Sequence, residues 1–325
     1  YCTGYYNDPH ERMFVFMISK HGNHTLFMND LFYLEHDLDV NIVWHKDGQD
    51  AIQTIVDEMH FPGRIGIDKN WASHFLLDLM KKLPDAKYIN ASPCVDLVRM
   101  KKDLQEQVLM IESSKINDAV MEEIIPFIQE GVTEKQLSKK LDELFFNHHS
   151  TCYGAIVAFG KNAADPHHEN DDTPLRKGDC VLIDMGCVYK GYCSDMTRTF
   201  FYEGILEEEI KVYEIVKKAN EAAEAMIKPG VKLSDIDKCA RKVISDEGYG
   251  KYFTHRLGHF IGRDVHEYGD VSSVNEMEVE EGMIFSIEPG IYLEGNFGVR
   301  VEDLVMVTKD RCQVLNSFTK DIYII

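Results

Sequence analysis

Residues 181–186 read VLIDMG and residues 284–290 read IFSIEPG, and the fold follows from reading these two stretches as one pattern written twice. Each is an apolar run of strand length closing on an acid, Asp184 or Glu288, and on a glycine soon after. Seven residues past each acid stands a further glycine, Gly191 or Gly295, where a hairpin should turn. Each hairpin returns with a second acid: Asp195 in SDMTRTF (194–200) and Glu302 in VRVEDLV (299–305). Upstream the echo continues. Residues 128–132 (IQEGV) and 227–231 (IKPGV) each end one helical segment and lead into another. Helix, helix, strand and acidic hairpin, stated twice, predict two similar halves facing each other about a pseudo-twofold axis. Glycine after a helix is common by itself; the matching acids are what make the repeat specific.

The rest of the chain sets the frame. With 325 residues it fits two domains, placed at 1–97 and 98–325. Strand-like runs over 12–19, 24–28, 40–44, 64–67 and 87–90 alternate with helical spacing over 49–59 and 71–83, the latter stopped by Pro84, so the first domain is α/β. A helical stretch over 104–129, interrupted at Pro126, opens the second. The chain begins at Tyr1 rather than Met, so an N-terminal piece is expected to precede it. A net charge of −20, from 55 acidic and 35 basic residues, argues against a nucleic-acid partner. No run approaches the ~20 apolar residues of a membrane span. The eight cysteines form no CxxC pair, which fits reduced thiols in a cytoplasm, with Cys187 and Cys193 placed in strands for packing.

A carboxylate closing a buried strand costs several kcal/mol unless paired or bound to a cation. One such acid alone could reach solvent or pair with arginine; four in matched hairpins point to a shared site. The segment 255–267, HRLGHFIGRDVHE, adds His259 and His266, with Gly258 and Gly262 letting backbone approach the first. His167 lies in 159–169, FGKNAADPHHE, a loop-like stretch. A lone histidine is more often structural than a ligand. An oxygen-rich set with one imidazole suits Mn²⁺, Co²⁺ or Zn²⁺, and four carboxylates are too many for one catalytic ion; they suit two.

At this point the chain resembles the pita-bread metallopeptidases, within them the Xaa-Pro dipeptidases (prolidases) and Xaa-Pro aminopeptidases. The likeness runs from YCTGYYNDPHER (1–12) through FGKNAADPHH, VLIDMG, GYCSDMTRTF, GHFIGRDVHE and SIEPGIY to GVRVEDLV, in family order. It implies an α+β arrangement: a small creatinase/prolidase-like N-terminal domain and a pseudo-twofold pita-bread catalytic domain. It further implies that Asp184 binds one ion and His259 with Glu288 the other, that Asp195 and Glu302 bridge them, and that a water or hydroxide lies between. Glu288 would accept that water's proton. His167 and His266 would face substrate, and Arg300 would position a carboxylate or the substrate. The implied reaction is hydrolysis of Xaa-Pro dipeptides, with manganese the first candidate ion. The alternatives are an Xaa-Pro aminopeptidase acting on longer peptides, or a non-catalytic binding protein on this fold.

Two places depart from the family pattern. GHGIG followed by an apolar residue is usual, where this chain has Phe260 and Arg263; NAALPHH is usual, where this chain has Asp165. Asp165 and Arg263 are therefore expected to line the subsite for the residue before proline, an ion pair between them being one arrangement. Residues 268–275 carry no basic side chain to hold the substrate's carboxylate. Arg300, a histidine, or His10 and Arg12 of a neighbouring subunit in a homodimer are the candidates.

Overall fold

The computed structural model describes residues 1–34, 36–59 and 63–325. It divides into two compact units, Tyr1–Val95 and Asp96–Ile325. In the first, β1 (Val15–Met17), β2 (Thr25–Asn29) and β3 (Asn41–His45) form one sheet, with β1 antiparallel and β3 parallel to β2. α1 (Ala51–Glu58), β4 (Arg64–Ile67), α2 (Ser73–Lys82) and β5 (Lys87–Asn90) follow, β4 and β5 pairing in parallel. Ile52 and Ile55 share one face of α1 and bury with Leu79, Phe27 and Met13. The strand expected over 12–19 is shorter than its apolar run. Arg12 N–H closes a turn onto the Pro9 carbonyl at 3.0 Å, and Gly22 N–H closes another onto Ser19 at 3.2 Å, so turns take both flanks.

α3 (Ser92–Met100) leads into the second unit and α4 (Leu104–Ile124) opens its first half. Asp103 caps α4 by accepting the Gln105 and Glu106 N–H groups, while the Glu106 carboxylate accepts the Asp103 N–H at 2.8 Å. The helix stops before Pro126, which has no N–H to continue it. α5 (Glu134–Asn147), β6 (Thr151–Cys152), β7 (Ile156–Phe159), β8 (Cys180–Met185), β9 (Cys187–Tyr189), β10 (Tyr192–Cys193) and β11 (Met196–Phe201) complete that half. The second half repeats the plan with α6 (Glu207–Met226), α7 (Leu233–Asp246), β12 (Gly258–His259), β13 (Asp270–Val271), β14 (Ile284–Ile287), β15 (Gly290–Leu293), β16 (Phe297–Arg300) and β17 (Asp303–Val307), followed by β18 (Cys312–Val314). Among the described residues no helix is long and apolar enough to cross a membrane.

The repeat extends to individual hydrogen bonds. Gly131 and Gly230 take φ of 81° and 86°, the left-handed region glycine reaches without strain. Gly131 N–H bonds the Leu175 carbonyl at 2.9 Å, and Leu175 N–H returns to Val132 at 2.8 Å; Gly230 N–H bonds the Val279 carbonyl at 2.9 Å, and Val279 N–H returns to Val231 at 2.8 Å. Gly191 (φ 82°) and Gly295 (φ 74°) turn the two hairpins.

Strand alternation then aims the acids. In β8, Val181 and Ile183 bury against Val120, Met121, Leu137 and Phe145 of α4 and α5, so Asp184 points from the opposite face. In β14, Phe285 and Ile287 bury against Val216, Ala219 and Ile236 of α6 and α7, which turns Ser286 and Glu288 the other way. Each side chain so buried contributes about 1.5–3 kcal/mol, enough to hold the register that presents the acid. Where the halves meet, Glu302 N–H donates to the Thr197 carbonyl at 3.1 Å and Arg300 N–H to Thr199 Oγ1 at 3.2 Å.

Candidate active site

Asp195, His259 and Glu302 come together in the buried seam between the halves, each offering one donor atom within 4.8 Å of the others. β12 can approach β14 because residue 258 is glycine: a β-carbon there would lie 1.9 Å from the Ser286 carbonyl oxygen. Ser286 links two candidate ligands, its Oγ accepting the His259 N–H at 2.9 Å and donating to Glu288 Oε1 at 3.1 Å. His259 Nδ1 lies 3.2 Å from the Phe260 carbonyl, which would hold a proton on Nδ1 and leave Nε2 facing the acids. Nε2 stands 3.5 Å from Asp195 Oδ2 and 3.6 Å from Glu288 Oε1. Two donors about 2.1 Å from a shared tetrahedral cation stand about 3.4 Å apart, so the spacing fits a cation between them.

Asp184 is engaged differently. Arg300 Nη2 donates to its Oδ2 at 2.7 Å, while Arg300 Nε donates to Thr197 Oγ1 at 3.0 Å and Nη1 to Tyr292 Oη at 3.0 Å. Thr197 Oγ1 in turn donates to Glu302 Oε2 at 2.6 Å. His255 Nε2 lies 2.8 Å from the same Tyr292 Oη. One guanidinium thus connects the acids of both halves. Sequence reasoning found Arg300 but missed Thr197, Ser286, Tyr292 and His255. The signal for Thr197, Ser286 and Tyr292 was proximity to Asp195 or Glu288, and for His255 proximity to His259, with no spacing of their own to mark them.

The electrostatics favour a cation. Burial pushes the Asp184 carboxyl up to about 6 against the pull of Arg300, and pushes Glu288 up to about 7 against His259 and Arg300. Burial and the charges of Asp195, Glu288 and Asp184 raise Glu302 well above the ordinary carboxylate range. Burial alone would lower His259, but Asp195 and Glu288 outweigh it and raise the imidazole. This donor set, oxygen-rich and self-repelling, suits hard or borderline divalent cations.

The other predicted residues scatter more widely. The His266 ring lies 4.1 Å from that of His259, and desolvation followed by the His259 charge pushes it down to about 4. His255 is pushed down to about 4 as well, by burial and then Arg300. His167 is exposed, its N–H bonded to Asp165 Oδ1 at 3.0 Å. Asp165 and Arg263 form no ion pair. Asp165 is exposed in its own turn, whereas the Arg263 guanidinium lies beside Gly191 at the hairpin tip. In the first unit, His10 is exposed, and Arg12 is already paired by two bonds of 2.8 and 2.7 Å to Asp47. A second acid–histidine group, Glu134, His168 and Asp171, lies in the first half, its donors already engaged. The fully buried Glu134 carboxylate already accepts from Phe159 N–H, Asn162 Nδ2 and Asp171 N–H and meets His168 Nε2 at 2.6 Å.

The chain is similar to proteins of one family throughout. The family model "Metallopeptidase family M24" matches residues 108–309, and "Creatinase/Prolidase N-terminal domain" matches residues 1–101. An uncharacterized peptidase of Staphylococcus aureus is 35% identical over 98% of this chain and 92% of its own. A prolidase from Thermococcus sibiricus superposes with a TM-score of 0.92 at 32% identity, covering 99% of this chain and 90% of that one. An X-Pro aminopeptidase from Thermotoga maritima gives 0.85 at 29% identity, covering 96% and 90%. Paired acidic hairpins, a buried donor cluster and these likenesses lead to one conclusion: the chain belongs to metallopeptidase family M24 and has its pita-bread fold.

Proposed function

We propose that this metallopeptidase hydrolyses the Xaa-Pro bond of dipeptides, with Asp184, Asp195, His259, Glu288 and Glu302 holding two divalent ions. The observation that carries the reading is the self-repelling acid cluster around His259, in a chain similar to a prolidase over nearly its full length. Bound there, Mn²⁺, Co²⁺ or Zn²⁺ would polarise the scissile carbonyl and acidify a water toward neutral pH.

The side chains supply the rest. Glu288, set beside His259 and accepting from Ser286 Oγ, would accept the water's proton. His266, uncharged near neutral pH, is placed beside His259 to hydrogen-bond the developing oxyanion or leaving nitrogen, with His167 as its counterpart from the loop. Arg300 holds Asp184 and orients the site through Tyr292 and Thr197. Proline explains the need for a dedicated site: its bond is a tertiary amide without an N–H for ordinary peptidases to grip. Asp165 and Arg263 line the subsite for the preceding residue as separate charges. The homodimer and the partner roles of His10 and Arg12 belong to the same reading, and so does a cytoplasmic setting; Arg12 would have to leave Asp47 to reach a substrate.

Leu-Pro and Leu-Pro-Gly, assayed with each ion in turn and after chelation, test the reading. Preference for Leu-Pro supports the dipeptidase, and preference for the tripeptide moves the activity to an aminopeptidase. A folded protein that neither binds metal nor cleaves either peptide would be a binding module.

A further inference from the structure

Behind the acid cluster lies a second set of charges that the chemistry above does not use. Arg198, on β11 three residues after Asp195, is 1% exposed. Its Nη1 donates to the carbonyls of Glu302 at 2.6 Å and Thr197 at 3.0 Å; Nη2 donates to Asp303 Oδ1 at 2.7 Å and to the Phe318 carbonyl at 2.8 Å; Nε donates to the Thr319 carbonyl at 3.0 Å. Lys320 Nζ meets the other Asp303 oxygen at 2.7 Å, both Glu224 oxygens at 2.8 Å and Asn220 Oδ1 at 2.7 Å. Asn220 Nδ2 then donates to the Ile287 carbonyl at 2.9 Å and approaches that of Val301 at 3.4 Å.

These contacts converge on backbone. They hold the carbonyls of Thr197, Val301, Glu302 and Ile287, each within two residues of Asp195, Glu302 or Glu288. Buried ion groups are poor stabilisers compared with apolar packing, so four charges and an amide here call for a different account. Groups that orient metal ligands from behind are a known use of such bonds.

We infer that Arg198, Asp303, Lys320, Glu224 and Asn220 form a positioning clamp that sets the separation of Asp195, Glu288 and Glu302, and so the affinity for divalent metal. The clamp joins the halves at the point where the acids must be held against their own repulsion. Its failure would let β11 and β17 part, spreading the donors beyond the reach of one cation.

The inference rests on those acids binding metal, and the test separates the two claims. Mn²⁺ dissociation constants of the metal-free protein are measured by competition with a chromogenic chelator for wild type, Lys320→Met, Lys320→Arg and Arg198→Lys, with circular dichroism verifying the fold. Lys320→Met and Arg198→Lys should weaken binding about 10- to 100-fold, while Lys320→Arg, which keeps the charge, recovers part of the loss. KM for Leu-Pro at saturating Mn²⁺ should stay within about twofold, since no clamp residue faces substrate. A merely structural role would lower thermal stability and leave the Mn²⁺ constant unmoved, which would overturn the inference in any one variant that folds. Wild type that binds no metal would overturn the proposed function, and the clamp with it.

Discussion

The two halves of the second unit share a backbone plan but not a set of side chains. In the first, β7 pairs with β8 so that Ala158 faces Leu182, two residues before Asp184. In the second, the Phe260–Phe285 bridge sets His259 opposite Ser286, two residues before Glu288. The same register position therefore holds a methyl group in one half and an imidazole in the other. One step earlier the first half has Val157, the second Gly258. Duplication supplies the symmetric frame of acids, and substitution in one copy supplies nitrogen and the room for it. Arg300 makes up the deficit from the opposite side, reaching out of the second half to the Asp184 carboxylate.

The sharpest way to break this comparison is to remove the imidazole. Groups that merely orient a ligand are worth about 10- to 100-fold, so His259→Ala should lower kcat/KM by more than about 100-fold and weaken Mn²⁺ binding with it. A variant retaining wild-type affinity would mean that His259 is not a ligand.

Gly258→Ala imports a side chain where the first half already carries Val157. With the Ser286 carbonyl 1.9 Å from the added carbon, β12 must shift, at a cost of about 1–3 kcal/mol in urea unfolding and with weaker metal binding. Val157→Ala should leave the metal constant alone.

Acidity separates the halves less. Asp184 and Glu288 have folded pKa values, about 6 and 7, above their ordinary 3.8 and 4.5. These two acids therefore hold protons that the unfolded chain has lost, and their contribution to stability falls as pH rises from about 4 to 7. Opposing this decline, His255 and His266, with values of about 4, add stability that grows toward pH 6.5. Saturating Mn²⁺ should abolish that decline, because only ionised carboxylates bind it. Thermal midpoints of wild type and Glu288→Gln across this range, with and without metal, provide the check; a metal-free wild type that loses no stability relative to Glu288→Gln toward pH 7 would contradict the site's electrostatics.

The smallest effect is expected at the rim. Asp165→Leu and Arg263→Ala alter exposed or half-buried charges, each worth at most about fivefold in the ratio of Asp-Pro to Arg-Pro cleavage. Unchanged ratios against Leu-Pro would remove both residues from the subsite.

What could be read in the chain beforehand follows from the range of the interactions. Hairpin glycines, helix ends and the alternation around Asp184 and Glu288 are local, so their periods survive in one dimension. The ion pair imagined between Asp165 and Arg263 failed because it required knowing which way two loops face. Thr197 joins the site through Arg300 and Glu302 across the seam, and Tyr292 and His255 join it through a chain of contacts that ends on Arg300. Arg198 was visible inside SDMTRTF, yet apart from the Thr197 carbonyl its partners lie 104 to 121 residues away, beyond any spacing argument.

Those distant partners also set an order of assembly. Arg198 receives its Phe318 and Thr319 carbonyls from 120 and 121 residues downstream. A nascent chain that has completed β11 therefore holds a guanidinium without its acceptors, inside what will become the interior. The first half gains this anchor only once the second has been synthesised and brought alongside, a late, long-range closure. Metal uptake would then report the last step of maturation, and a ribosome-stalled fragment ending before residue 318 should remain protease-sensitive however much Mn²⁺ is present.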